Sequence, residues 1–185
     1  MFAVRIHGRG GQGAVTAAEV LSVAAFNEGR HAQAFPTFGS ERTGAPVVSF
    51  CRIDDRPIRL RCDIERADAI LCFDASLLAG RLLASADAGT QIVVNSSRSR
   101  DEFARRYPDH RVVPIDGIAI ARRHGLGRIV NSALLGALAC ALGAPGLRVL
   151  SRALVDEATK LHDENVAACE EGFRSVEASM QSVAA

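Results

Sequence analysis

Three glycines, Gly8, Gly10 and Gly13, stand in G-x-G-x-x-G spacing between an apolar run over residues 2–6 and a segment of helical period. A strand before and a helix after is the setting in which such a turn holds a phosphate. Glycine admits left-handed torsions and lets an anion approach backbone N–H groups. A helix beginning near Gln12 adds unpaired amides and the positive end of its dipole. Arg9, Gly11 and Gln12 complete the turn. A glycine-rich βα turn also forms for close packing alone, so this fingerprint leaves both readings open.

A second polar set lies in Thr37, Phe38, Gly39, Ser40, Glu41 and Arg42, followed by Thr43 and Gly44. Its Pro, Gly and hydroxyl content over residues 36–46 predicts an ordered loop. Arg42 beside Ser40 and Thr43 suits an anion, and a solvated connection is the alternative. Asn131 and Ser132 open a later helical run, either as caps or as polar groups presented to a ligand. Asp74 ends an apolar strand and either caps the next helix or serves a site.

Other chemistries lack their residues. An NAD-binding Rossmann enzyme needs a carboxylate at the end of the second strand. Glu28 is at about the right distance but ends a helix, and residues 31–35 carry no acid. No Gly-Lys-Ser/Thr follows the glycines, and neither a nucleophile elbow nor a catalytic triad is present, so no catalytic residue is assigned. Cys51, Cys62, Cys72, Cys140 and Cys169 form no C-x-x-C pair, which predicts reduced structural thiols and no metal or iron–sulfur site from this chain alone. The histidines show no metal-ligand spacing. A phosphate site without catalytic machinery points to a binding subunit.

The elements that must position these groups follow from the pattern. With 185 residues, 48% hydrophobic, one domain is expected. A net charge of +1 gives no reason to expect nucleic acid or an anionic membrane. Lys160 is the only lysine, so any anion falls to arginine. Residues 14–28 predict a helix closed by Gly29 and residues 31–35 a strand. Residues 47–53 and 57–61 predict an antiparallel hairpin. Residues 69–73, 90–94 and 112–115 predict buried strands. Helices are expected over 77–86, 118–123 and 129–142. Residues 150–178 predict a C-terminal helical segment that Gly172 interrupts. Alternating strands and helices give an α/β class, Rossmann-like, with three α/β/α layers and a mostly parallel but mixed sheet including a hairpin. The first strand starts at residue 2 and no apolar run spans a bilayer, so a cytoplasmic location is expected.

The chain resembles the gamma subunit of the 2-oxoacid:acceptor oxidoreductases, of which pyruvate:ferredoxin oxidoreductase is an example. The resemblance rests on residues 5–19, residues 32–47 and Asn131-Ser132-Ala133-Leu134-Leu135-Gly136-Ala137, with Glu164-Asn165 and Gly172-Phe173 near the C-terminus. It covers nearly the whole chain. It implies a complex that converts a 2-oxoacid, coenzyme A and an oxidised acceptor into acyl-CoA, CO2 and reduced acceptor. Thiamine diphosphate, Mg2+ and [4Fe-4S] clusters then belong to partner subunits of alpha, beta and ferredoxin-like delta type, with a flavin subunit where NAD is the acceptor. Pyruvate, phenylglyoxylate and other 2-oxoacids are all served by related gamma chains. The gamma chain is implied to bind coenzyme A, with the turn amides, Arg9 and Arg42 on its phosphates and the 37–44 loop over it. A stand-alone NAD(P)-binding oxidoreductase and a purely structural subunit are the alternatives.

Overall fold

The computed structural model describes residues 1–37, 44–157 and 160–184. Among the described residues six strands form one sheet: β1 (Phe2–Arg9), β2 (His31–Pro36), β3 (Pro46–Asp54), β4 (Ala69–Cys72), β5 (Gln91–Asn95) and β6 (Arg111–Ile115). Their order is β2-β3-β1-β4-β5-β6. β1, β4, β5 and β6 run parallel, whereas β3 is antiparallel to both β1 and β2. The same residues form six α-helices: α1 (Ala14–Asn27), α2 (Arg100–Arg106), α3 (Gly117–Arg123), α4 (Asn131–Leu142), α5 (Leu147–Glu157) and α6 (His162–Ala184). The fold is α/β with C-terminal helices, as the pattern predicts.

β4 is apolar throughout because both of its faces are covered. Leu71 and Phe73 join Val4, Ile6 and residues of α1, α4 and α6 in one core. Ile70 and Cys72 join Phe50, Leu78, Ile92 and Phe103 in a second core on the opposite face. Winding reverses at β1. From there α1 leads to β2 and β3 on one side, and β4, β5 and β6 follow on the other. A crevice at the carboxyl ends of the strands is expected at such a reversal.

Several expectations are corrected. The hairpin pairs β2 with β3, with Phe35 opposite Phe50, and residues 57–61 lie outside any strand. Both edges of β3 are taken by β1 and β2, so residues 57–61 cannot form the expected hairpin with it. Residues 77–86 form no α-helix. Asp74 caps a 3-10 turn at Ala75–Leu77, Gly80 turns left-handed, and a second 3-10 turn follows at Leu83–Ser85.

Gly172 does not break a helix but lies inside α6. A Cβ there would meet the Ala133 carbonyl of α4, and a Cβ on Gly136 would meet the Cys169 carbonyl of α6. The two glycines thus let the backbones of α4 and α6 touch, and the helical break falls between α5 and α6 instead. α2 was not foreseen. Its signal is the capping box of Ser99 and Glu102, each accepting from the other's backbone N–H.

Candidate functional site

The glycine turn joins β1 to α1. Gly11 has φ 90° and Gly13, the cap of α1, has φ 83°, torsions that demand glycine here. Gly8 is favoured for a different reason, because a Cβ on it would crowd Ala14 Cβ and Gln12 Oε1, each at 3.3 Å. The turn is closed internally: Arg9 N–H donates to Gln12 Oε1 (2.7 Å) and Gln12 N–H to the Arg9 carbonyl (3.0 Å). It is also strapped to the far end of the 37–44 loop. Gly10 N–H donates to the Ala45 carbonyl (2.9 Å) and Gly44 N–H to the Gly10 carbonyl (3.2 Å).

These bonds use the amides of Arg9, Gly10 and Gln12. The first bond within α1 is from Ala17 N–H to the Gly13 carbonyl, and Gly13 offers no side-chain cap. The N–H groups of Gly11, Gly13, Ala14, Val15 and Thr16 therefore have no acceptor among the described residues. Together with the helix dipole they form an anion cradle. It faces a cleft of 320 Å³ lined by Arg9, Gly11, Gly13, Val15 and Val47.

Arg9 is not free to reach into this cleft. Its Nε donates to Asp74 Oδ2 (2.6 Å), Nη2 to Ser76 Oγ (2.8 Å) and Nη1 to the Gly44 carbonyl (3.3 Å). Asp74 also accepts from Ser76 N–H (2.9 Å), so it caps the 3-10 turn and braces Arg9 at once. Burial alone would raise the Asp74 carboxyl, but the bonds from Arg9 and Ser76 outweigh it and hold the carboxyl below its usual range.

Asn131 comes to the same place. Its side-chain nitrogen would lie 3.3 Å from a Cβ on Gly13, and its Oδ1 accepts from Ser132 N–H. Ser132 turns inward and donates to Asn165 Oδ1 (2.5 Å), whose Nδ2 bonds the Leu161 carbonyl (2.7 Å). That network fixes the start of α4, and with it Asn131, against α6. Thr37 extends the sheet, both its N–H and its hydroxyl donating to the Val48 carbonyl. The expectations for Phe38, Gly39, Ser40, Glu41 and Arg42 lie outside the described residues.

Glu28 sits at the end of α1 remote from the turn, where its carboxylate accepts from Gly146 N–H (2.6 Å). Asn95 is a further polar group that the pattern did not reveal. It accepts from Gly117 N–H and donates to the Phe73 carbonyl, tying the ends of β4 and β5 to α3. Cys51, Cys72 and Cys169 are buried thiols pushed up to about 12 by desolvation. Among the described residues no three His, Cys, Asp or Glu side chains gather to hold a metal ion. No helix among them is long and apolar enough to cross a membrane.

Known proteins share both the sequence and the fold. The family model described as pyruvate ferredoxin/flavodoxin oxidoreductase matches residues 3–175. The common gamma subunit of the pyruvate/ketoisovalerate oxidoreductases of Thermococcus kodakarensis is 41% identical over 94% of this chain and 96% of its own. The crystal structure of pyruvate oxidoreductase subunit PORC from Thermotoga maritima superposes with a TM-score of 0.82 at 28% identity, covering 94% of this chain and 95% of that one. A 2-oxoglutarate:ferredoxin oxidoreductase from Magnetococcus marinus, solved with 2-oxoglutarate, coenzyme A and succinyl-CoA bound, shares the fold at TM-score 0.75 and 21% identity, over 96% of this chain and 31% of that one. The chain belongs to the pyruvate ferredoxin/flavodoxin oxidoreductase family, as a chain of its gamma-subunit type.

Proposed function

We propose that this chain is the gamma subunit of a thiamine-diphosphate- and iron–sulfur-dependent 2-oxoacid:acceptor oxidoreductase, in which it binds coenzyme A at the β1–α1 turn. The overall reaction joins a 2-oxoacid, coenzyme A and an oxidised acceptor to give acyl-CoA, CO2 and reduced acceptor. Thiamine diphosphate with Mg2+ and the [4Fe-4S] clusters, on alpha, beta and delta-type partners, would supply decarboxylation and electron transfer. The residues of this chain bind and position. One observation carries the reading: five backbone amides, at Gly11 and at Gly13 through Thr16, have no acceptor among the described residues, at the strand end where the winding reverses.

In this reading the phosphates of coenzyme A take those amides as donors. Arg9 shapes the turn rather than touching the anion, because its fork is held by Asp74, Ser76 and Gly44. The reading extends to Ser40 and Arg42, since Thr37 and Gly44, which flank that segment, are bonded beside the turn. Asn131 borders the cradle. Residues 1–185 act as one gamma domain, with α5 and α6 as its C-terminal helical segment, in a cytoplasmic complex. The substrate classes are those served by its relatives, pyruvate and branched 2-oxoacids foremost.

The test is Gly13→Val in the assembled complex. A β-branched residue resists φ 83° and crowds the Asn131 side chain, so the amides lose their alignment. The KM for coenzyme A should rise by about tenfold or more, a loss of one charge-assisted hydrogen bond, with the KM for the 2-oxoacid unchanged. An unchanged KM for coenzyme A contradicts the proposal.

A further inference from the structure

β6 is the last strand of the sheet, and among the described residues no strand pairs with its outer edge. The register fixes which backbone groups lie on that edge. Ser96 N–H donates to the Ile115 carbonyl and Asn95 stands opposite Ile115, so Ile115, Val113 and Arg111 turn their backbone polar groups towards β5. Those of Val112 and Pro114 therefore point outwards. Pro114 has no N–H, which leaves Val112 as the outward donor of the strand. Its N–H has no acceptor among the described residues.

A groove of 430 Å³ runs along this edge, between Arg100 and Ala104 of α2 on one side and Met180 of α6 on the other. Val112 and Val113 both line it, although their side chains enter the cores on opposite faces of the sheet, so its floor is the strand edge itself. Arg100 and Arg111 line the groove, and no Asp or Glu does. Every ion pair among the described residues lies elsewhere. The Arg100 guanidinium makes one long bond, 3.4 Å to Ser179 Oγ. Met180 is 51% exposed. A strand edge as floor, two arginines without carboxylates and an exposed thioether together suit an extended segment that is acidic and partly apolar.

We infer that such a segment of a partner subunit adds to the sheet along β6. Its backbone accepts from Val112 N–H and donates to the Val112 carbonyl, its carboxylates meet Arg100 and Arg111, and an apolar side chain rests on Met180. The main chain supplies affinity and the alternate side chains supply specificity. The pairing is short, because Pro114 ends the run of donors. The inference rests on the subunit part of the proposed function and is independent of what the glycine turn binds.

Amide hydrogen exchange tests it on the parent protein. In the purified complex of this chain with its partner subunits, exchange at Val112 should be about tenfold or more slower than in the isolated chain, as an unpaired donor gains an acceptor. Arg100→Glu combined with Arg111→Glu should lower recovery of the chain in the complex by about tenfold or more, because like charges then face each other, with the Tm of the chain kept near the parent's. Arg100→Gln with Arg111→Gln removes attraction without adding repulsion, and its recovery should fall between the two.

Unchanged exchange at Val112 in the complex overturns the inference and leaves Arg111 and Pro114 as guards against strand pairing. Parent-like recovery of the charge-reversed chain overturns it as well. So does equal slowing at Val112 in the isolated chain, whether on raising its concentration, which would seat a second copy on the edge, or on adding citrate, which would make the groove a small-anion site. A parent chain that joins no complex refutes the subunit reading and the inference with it, an outcome distinct from a complex that forms with Val112 unprotected.

Discussion

Arg9 Nε donates to Asp74 Oδ2 across 2.6 Å, joining the carboxyl ends of β1 and β4 where the winding of the sheet reverses. The same guanidinium reaches Ser76 and the Gly44 carbonyl, so one side chain pins the glycine turn to two neighbouring loops. An arginine beside a phosphate-type turn invites a role as direct ligand. This geometry gives it a bracing role.

The two roles predict opposite effects of Asp74→Asn. As a brace, Arg9 needs its partner, so Asp74→Asn and Arg9→Ala should each raise the KM for coenzyme A by a similar three- to tenfold, roughly one hydrogen bond's contribution. As a direct ligand, Arg9 freed from Asp74 would bind the anion better and the KM would fall. Steady-state kinetics of the two variants decides between them.

His7 makes stability depend on pH. Its folded pKa of about 4 lies below its ordinary 6.5, so the unfolded chain binds this proton more readily. The contribution is fully present above pH 6.5 and is lost as pH falls towards 4. Between pH 7 and 5 the folded state should lose up to about 2 kcal/mol through this residue. Urea titrations at the two pH values measure it, and His7→Gln should lack this part of the loss.

Gly136 and Gly172 should tolerate no side chain. Each Cβ would strike a carbonyl of the facing backbone, which cannot move aside as a flexible side chain can. Gly136→Ala or Gly172→Ala should cost about 2 kcal/mol or more by overpacking, a fall in Tm of roughly 4–8 °C for a chain of this size. Thermal unfolding of either variant checks this.

Asn165→Ala should weaken the end of α4 that carries Asn131. It strands the buried Ser132 hydroxyl, which is 1% exposed, and removes one of the two N–H bonds to the Leu161 carbonyl, the backbone bond from residue 165 remaining. The expected loss is about 1–3 kcal/mol, and Ser132→Ala made together with it should recover part of that loss. Chemical denaturation of the single and double variants gives both numbers.

The sheet was largely legible because β4, β5 and β6 are short apolar runs buried on both faces, and the glycine spacing located the turn. Asn131 was legible as a polar group at a helix start, although nothing local said that it would meet Gly13. Contacts between distant parts of the chain were not legible: Arg9 and Asp74 lie 65 residues apart, and Ser132 and Asn165 lie 33 apart. The errors have a common cause. Residues 57–61 alternate like a strand but find both edges of β3 taken, and Gly172 reads as a breaker only until α4 is packed against it. In both cases tertiary packing overrides local preference.

The central claim is that backbone amides of the β1–α1 turn hold coenzyme A, and amide hydrogen exchange on the assembled complex measures those groups themselves. With saturating coenzyme A, exchange at Gly11 and at Gly13 through Thr16 should slow by about tenfold or more, as amides gain acceptors worth about one charge-assisted hydrogen bond. Unchanged exchange at those five amides, in a complex shown to be turning over coenzyme A, would contradict it.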